Sequence, residues 1–381
     1  MKEPSYTFLG SQDVITPALI YYRSLIRDNL QKAIEIARGA EHLWPHIKSH
    51  KMADVIRMSM DMGITRFKCA TIAEAEVAAG NKAAHIVVSY PLIGPNICRF
   101  IKLAESFPQT HFYAIGDNLD MLAHLGNAAT SSSLKNVDVL VDVNMGMNRT
   151  GVPLSKLAVF CDSCSQIKGI TLKGLHCYDG HRTEHTYEER KKAADTVDLE
   201  IKSLLHTICT KHPSCSLVII GGSPSFPCHA DFCLTEGKEE NTEVYFSPGT
   251  IFIYDYGYSQ KFPDLPYVPA AAILTRVISC PDKGIFTIDC GYKGIAADPA
   301  GTRGLLLGVE NCEELFQSEE HWTYRMKPGY EDACPKVGDE LFVIPTHICP
   351  TSALYASVLV VENGKIVDNW PVSARNRKIT Y

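Results

Sequence analysis

Short apolar runs alternate with amphipathic stretches from about residue 22 to residue 255. The runs are Trp44–Lys48, Arg66–Ala70, His85–Ser89, His111–Ile115, Val137–Val143, Thr171–Tyr178, Leu217–Gly221 and Glu243–Phe246. Each is four to eight residues long and several are rich in Val and Ile, the pattern of strands buried on both faces. Between them, Leu25–Ala37, Met52–Met62 and Ile72–Ala79 carry apolar residues at i, i+3 and i+4, the spacing of a helix with one buried stripe. Strands separated by helices predict right-handed βαβ units on a parallel sheet. Eight units are the number that closes a barrel, so the expected fold class is α/β, a (β/α)8 TIM-type barrel over 22–255.

Beyond Asp255 the pattern changes. Ala271–Ile278, Gly284–Asp289, Glu340–Pro345 and Ser357–Glu362 read as strands joined by Gly, Pro, Asp and Asn turns, with few helical signals. This predicts a second, mostly β domain made of 256–381 together with 1–21. Thr16–Tyr22 is expected to pair with it, and Gly308–Glu331 to form a long polar and aromatic excursion.

Composition narrows the function classes. The chain has 381 residues, 45% hydrophobic and 21% charged, as in ordinary soluble proteins. The net charge of −6 and the lack of any basic block argue against nucleic-acid binding. No run of 18 apolar residues predicts a membrane span, and Met1-Lys2-Glu3-Pro4 lacks the apolar core of a signal peptide. The 14 cysteines are scattered, mostly in apolar runs such as those of Cys69, Cys177 and Cys290, as expected for reduced, buried thiols in a cytoplasmic protein. Cys161 and Cys164 form a CxxC in a helix-like stretch with no second pair, which reads as chance.

Candidate chemistry begins at Pro45-His46-Ile47-Lys48-Ser49-His50-Lys51. If the strand persists, His46, Lys48 and His50 share a direction. Lys48 then sits at the C-terminal end of the first barrel strand, where barrel enzymes keep their active sites, and a desolvated lysine there can form a Schiff base. After the seventh run comes Gly221-Gly222-Ser223-Pro224-Ser225, and after the eighth Ser247-Pro248-Gly249-Thr250. Barrels that bind phosphate use these two loops, because glycines let backbone N–H groups approach the oxygens. Arg149, after the fifth run, can reach into the barrel mouth, and Tyr178, after the sixth, can pack on or hydrogen-bond a ring there. His347 and Cys349 lie two apart in Pro345-Thr346-His347-Ile348-Cys349-Pro350. On a strand they would share a face and could hold one metal ion, zinc by their N and S donors. Taken singly, each feature has an ordinary alternative: a loop lysine, a turn, a surface ion pair, a core tyrosine, a chance HxC.

Together the motifs resemble one family, the fold-type III pyridoxal-phosphate enzymes with an alanine racemase-like barrel that include D-threonine aldolase and eukaryotic-type D-serine dehydratase. Pro45–Lys51 is similar to the family's PHxKTHK, with Ser49 for Thr, which puts its Schiff-base lysine on Lys48. Ala70-Thr71-Ile72-Ala73-Glu74-Ala75-Glu76 is similar to its second-strand signature, Met147–Val152 to its arginine motif, and Tyr178-Asp179-Gly180-His181 to its YxGH. The resemblance covers nearly the whole chain. It implies a catalytic Lys48 and a pyridoxal 5'-phosphate site of Lys48, Arg149, Thr150, Tyr178, Gly221, Gly222, Ser223, Gly249 and Thr250. It also implies a divalent metal on His347 and Cys349: zinc, with manganese or magnesium as alternatives.

The activity implied is that of a lyase on D-3-hydroxy amino acids, by retro-aldol cleavage or by elimination of water. Cys349 leans toward the dehydratases and Pro350-Thr351 toward the aldolases. An amino-acid racemase of the same fold, a non-catalytic pyridoxal-phosphate carrier and a phosphosugar enzyme on the same barrel are the alternatives. The resemblance further implies a homodimer.

Overall fold

The computed structural model describes residues 5–232 and 242–381. Seven parallel strands follow one another in register: Arg66–Cys69, His85–Val88, His111–Gly116, Val137–Asn144, Ile170–Cys177, Leu217–Ile220 and Glu243–Phe246. The eighth run, at Trp44, closes the ring without forming a regular strand. Leu43 bridges Phe246 and His46 bridges Lys68 in the parallel sense. Trp44 N donates to Phe246 O and Lys68 N to Pro45 O, each at 2.8 Å. The α/β barrel is therefore as expected, with one correction. The Trp44 run does not continue as a strand through Lys48, because Ile47–Ser49 turns as one 3-10 segment.

The helices between the strands start where the local chemistry dictates. Thr71 caps Ile72–Gly80 by accepting from Glu74 N at 3.1 Å, while Glu74 accepts from Ala70 N at 2.6 Å. Thr186 and Glu189 form a full capping box on the long helix Tyr187–Lys211. Helices Arg23–Ala37 and Ala53–Asp61 fall where the apolar stripes predict them. Inside the barrel, Trp44, Val87, Tyr113, Ile115, Leu140, Leu217, Ile219 and Tyr245 form one apolar cluster. Trp44 anchors it, edge-on to Tyr113 and Tyr245 at 5.3 Å each, with its indole N–H donated to Phe67 O at 2.9 Å.

Two compact units divide the chain. One gathers the chain up to Leu30 with Ser49–Met52 and Thr250–Arg375; the other holds Gln31–Lys48, Ala53–Gly249 and Asn376–Tyr381. The first is built on a mixed sheet. Its order is Cys312–Gln317, Trp322–Met326, Ile285–Ile288, Ala271–Asp282, Ala18–Tyr22, Ser357–Glu362 and Lys365–Pro371. Glu340–Pro345 pairs with Ala271–Asp282 and with Gly304–Leu307. Ala18–Tyr22 thus joins the β unit, antiparallel to Ala271–Asp282 and parallel to Ser357–Glu362. The polar excursion resolves into a hairpin, Cys312–Gln317 with Trp322–Met326, laid beside Ile285–Ile288. Tyr6, Phe8, Ile20, Tyr22, Leu274 and Phe342 lie in this unit's core. Among the described residues no disulfide forms, and no helix is long and apolar enough to cross a membrane.

Candidate active site

A cavity of about 470 Å³ opens within the barrel unit. Lys48, Arg149, Thr150 and Tyr178 line it, together with Lys68 and His176. Lys48 reaches it from the 3-10 turn, and His46 lines it as well. His50, expected beside them on a continuing strand, is not among its lining residues. It belongs to the β unit, where it is fully buried with its ring 5.0 Å from that of Phe252.

Three cations surround the ring of Tyr178. The guanidinium carbon of Arg149 is 4.9 Å from its centroid, Lys68 Nζ 5.3 Å and Lys48 Nζ 6.0 Å. The negative face of an aromatic ring attracts each of them. Arg149 is carried on a loop that Asn144 ties down, its side-chain oxygen accepting from Gly146 N at 3.0 Å and Asn148 N at 3.1 Å. Lys68, Asp142 and His176 lie inside the barrel strands and escaped the motif reading. Asp142 and His176 are register partners on adjacent strands, so their side chains emerge together, 2.7 Å apart. His176 Nε2 then lies 3.4 Å from Lys68 Nζ. Burial pushes Lys68 down to about 7; the Lys48 charge adds to this and the Asp142 carboxylate opposes it.

The two glycine loops are tied together. Ser223 Oγ accepts from Gly249 N at 3.0 Å. A Cβ on Gly222 would lie 3.1 Å from the Tyr178 ring, and one on Gly249 would lie 3.0 Å from His46 Cβ, so neither position has room for a larger residue without movement. Gly221 takes φ +83°, a region that glycine enters freely. Behind the first loop, Ser225 Oγ donates to Asp179 at 2.6 Å and accepts from Gly222 N at 2.9 Å. His229 bridges Asp179 and Asp198 at 3.0 and 2.8 Å. Burial works against a charge on His229, but the two carboxylates outweigh it and push its pKa up to about 10. In the second loop the Ser247 hydroxyl is buried and, among the described residues, has no hydrogen-bond partner. A phosphate would supply the acceptor that this donor lacks.

The remaining expected residues, Thr250, His347 and Cys349, belong to the β unit. The HxC pair is not on a strand. The strand Glu340–Pro345 has ended, His347 is the N-cap of helix Ile348–Leu354, and Cys349 lies in its first turn. Pro350 is compatible with that first turn, where its missing N–H has no intrahelical partner to lose. Asp255 fixes the start of the helix by accepting from Ile348 N at 3.0 Å. His347 Nδ1 is 2.5 Å from Asp298, and Cys349 Sγ is 3.0 Å from Ser49 Oγ and 3.7 Å from Thr250 Oγ1. Burial opposes a charge on His347, but Cys349 and Asp298 outweigh it and push its pKa up to about 9, an environment that favours a cation. Among the described residues no group of three or more His, Cys, Asp or Glu is placed to hold a metal; this pair offers two donors.

Residues 23–234 match the family described as alanine racemase, N-terminal domain. The chain belongs to that family. Residues 270–361 match a second family, described as a putative serine dehydratase domain. A D-threonine aldolase from Arthrobacter sp is 27% identical over 370 residues, 95% of this chain and 93% of that protein. The crystal structure of a D-threonine aldolase from Filomicrobium marinum superposes with a TM-score of 0.84 at 24% identity, over 98% of this chain and 99% of that one. A D-threo-3-hydroxyaspartate dehydratase from Delftia sp. HT23 gives a TM-score of 0.79 at 17% identity, over 95% and 98%. At these identities the solved structures establish the fold.

Proposed function

We propose that this alanine racemase-family chain is a pyridoxal-phosphate-dependent lyase acting on D-3-hydroxy amino acids. The observation that carries the reading is the placement of Lys48 and Arg149 around the Tyr178 ring in the barrel cavity, beside two glycine loops joined by Ser223. The cavity fits the cofactor. Lys48 supplies an amine for its aldehyde, Arg149 and Tyr178 a cation and a ring face for the pyridine. Gly221, Gly222, Ser223 and Gly249 supply backbone and hydroxyl donors for the phosphate, and Ser247 a buried hydroxyl that has no partner among the described residues. Thr150 lines the cavity, and Thr250 follows the second loop.

When bound, the cofactor supplies an electron sink for a bond broken at the substrate Cα. Lys48 Nζ is the base that takes the α-proton in a dehydratase. In an aldolase a nearby base takes the β-hydroxyl proton instead, and the Cα–Cβ bond breaks to leave a carbonyl. His347 and Cys349 would hold a divalent metal, and their N and S donors suit zinc. Asp298 orients the imidazole through its other ring nitrogen, as carboxylates do for metal-bound histidines. Such a metal supplies Lewis acidity toward a hydroxyl. A homodimer and a cytoplasmic setting belong to the same proposal.

The full-length similarity to a D-threonine aldolase and the dehydratase-domain match over 270–361 favour a lyase over a racemase. A product assay on D-serine and D-threonine tests it. Pyruvate and ammonia from D-serine identify a dehydratase; acetaldehyde and glycine from D-threonine identify an aldolase. Appearance of the mirror-image amino acid instead contradicts the lyase reading.

A further inference from the structure

Lys68 lines the cavity, and no motif of the sequence explains it. The residue is 2% exposed, yet among the described residues no carboxylate forms an ion pair with it. Its neighbours are the Tyr178 ring, the positive charges of Lys48 and Arg149, and the His176 imidazole; Asp142 and Asp179 act on it from further away. Asp142 can only accept, so His176 donates its Nδ1 hydrogen to it and turns the Nε2 lone pair toward Lys68. One of the three ammonium donors is thereby directed to His176, and two remain for the cavity. A buried charge without a counterion is costly, and an apolar side chain would fill this barrel layer at no such cost. Among the described residues no anion touches the ammonium directly.

We propose that Lys68 is an anion-binding residue of the barrel cavity, steadied by His176 and Asp142, that holds an anionic oxygen of the bound reactants. This rests on the cofactor reading above. The oxygen comes from either of two sources, the ring phenolate of pyridoxal phosphate or the carboxylate of the amino acid. Binding draws Lys68 toward its protonated form, because the anion adds a counter-charge in direct contact.

Lys68→Met and Lys68→Arg test the proposal, with the thermal midpoint as the check on folding. If the cofactor supplies the anion, Lys68→Met weakens pyridoxal-phosphate binding to the cofactor-free protein by at least about tenfold, and Lys68→Arg stays within about threefold of wild type. If the substrate supplies it, Lys68→Met holoenzyme loses about tenfold in affinity for D-serine, while its affinity for D-serinamide, which lacks the carboxylate, changes less than about threefold. Either pattern supports the proposal. Unchanged affinity in both assays for folded Lys68→Met overturns it, as does a loss that Lys68→Arg fails to recover. Wild-type protein that takes up no pyridoxal phosphate sinks the cofactor reading instead. Calorimetry with malonate on the cofactor-free protein then decides Lys68 by itself. Binding weakened about tenfold in Lys68→Met supports the role, and equal binding overturns it.

Discussion

Arg149 holds its guanidinium 4.9 Å from the centre of the Tyr178 ring. The ring also faces both cavity lysines, so it serves as a common platform for three charges. Cation–π contacts contribute about 0.5–2 kcal/mol each, through the ring and not the hydroxyl. Tyr178→Phe should therefore keep cofactor affinity within about threefold, and Tyr178→Ala should lower it by about tenfold or more. Fluorescence titration of the cofactor-free variants reads the difference. Equal losses in both would assign the role to the hydroxyl.

Gly222 packs its backbone against the same tyrosine. Its φ is not in the left-handed region, so an alanine there is a steric test alone. Gly222→Ala should displace the ring by a few tenths of an ångström, lower cofactor affinity and cost about 1–2 kcal/mol of stability. Denaturant unfolding and cofactor titration check both effects.

The support of the first loop is sensitive to pH. His229 has its folded pKa raised from 6.5 to about 10, so its contribution to stability is complete below pH 6.5 and lost as pH rises through 10. Replacing it leaves Asp179 and Asp198 buried without their shared partner, at a cost of about 3–5 kcal/mol. The stability gap between wild type and His229→Gln should be widest below pH 6.5 and narrow toward pH 10. A gap independent of pH would contradict a charged His229.

In the β unit, Asp298 orients His347. Cys349→Ala should abolish metal retention, and Asp298→Asn should weaken it by about 10–100-fold. Metal analysis after dialysis reads both, and a strong chelator should remove activity from the wild type. Full turnover in the presence of chelator would contradict the metal role.

The barrel is legible in the sequence because strands buried on both faces read as continuous apolar runs, and their number fixes closure. Its least regular member, the Trp44 run, reads as a strand from composition, but hydrogen bonds to Phe246 and from Lys68 hold it in place of a regular ladder. The same apolar texture hides Lys68, Asp142 and His176. The available signal was a charged or polar residue inside an otherwise apolar run, as Lys68 is in Arg66–Ala70. Asp198 and His229 were not legible at all, because they meet Asp179 only through the fold. The HxC pair was legible as a pair but misplaced. Period-two spacing suggests a strand, whereas Pro345 and Pro350 bracket a strand end and a first helical turn.

Lys48 and Lys68 both line the barrel cavity, and we assign the covalent cofactor bond to Lys48 rather than Lys68. Reduction of the holoenzyme with borohydride, followed by proteolysis and mass mapping, fixes the bond permanently and locates it. A pyridoxyl group on the peptide containing Lys48 is the predicted result. The same group on Lys68, or on neither lysine, would contradict the account.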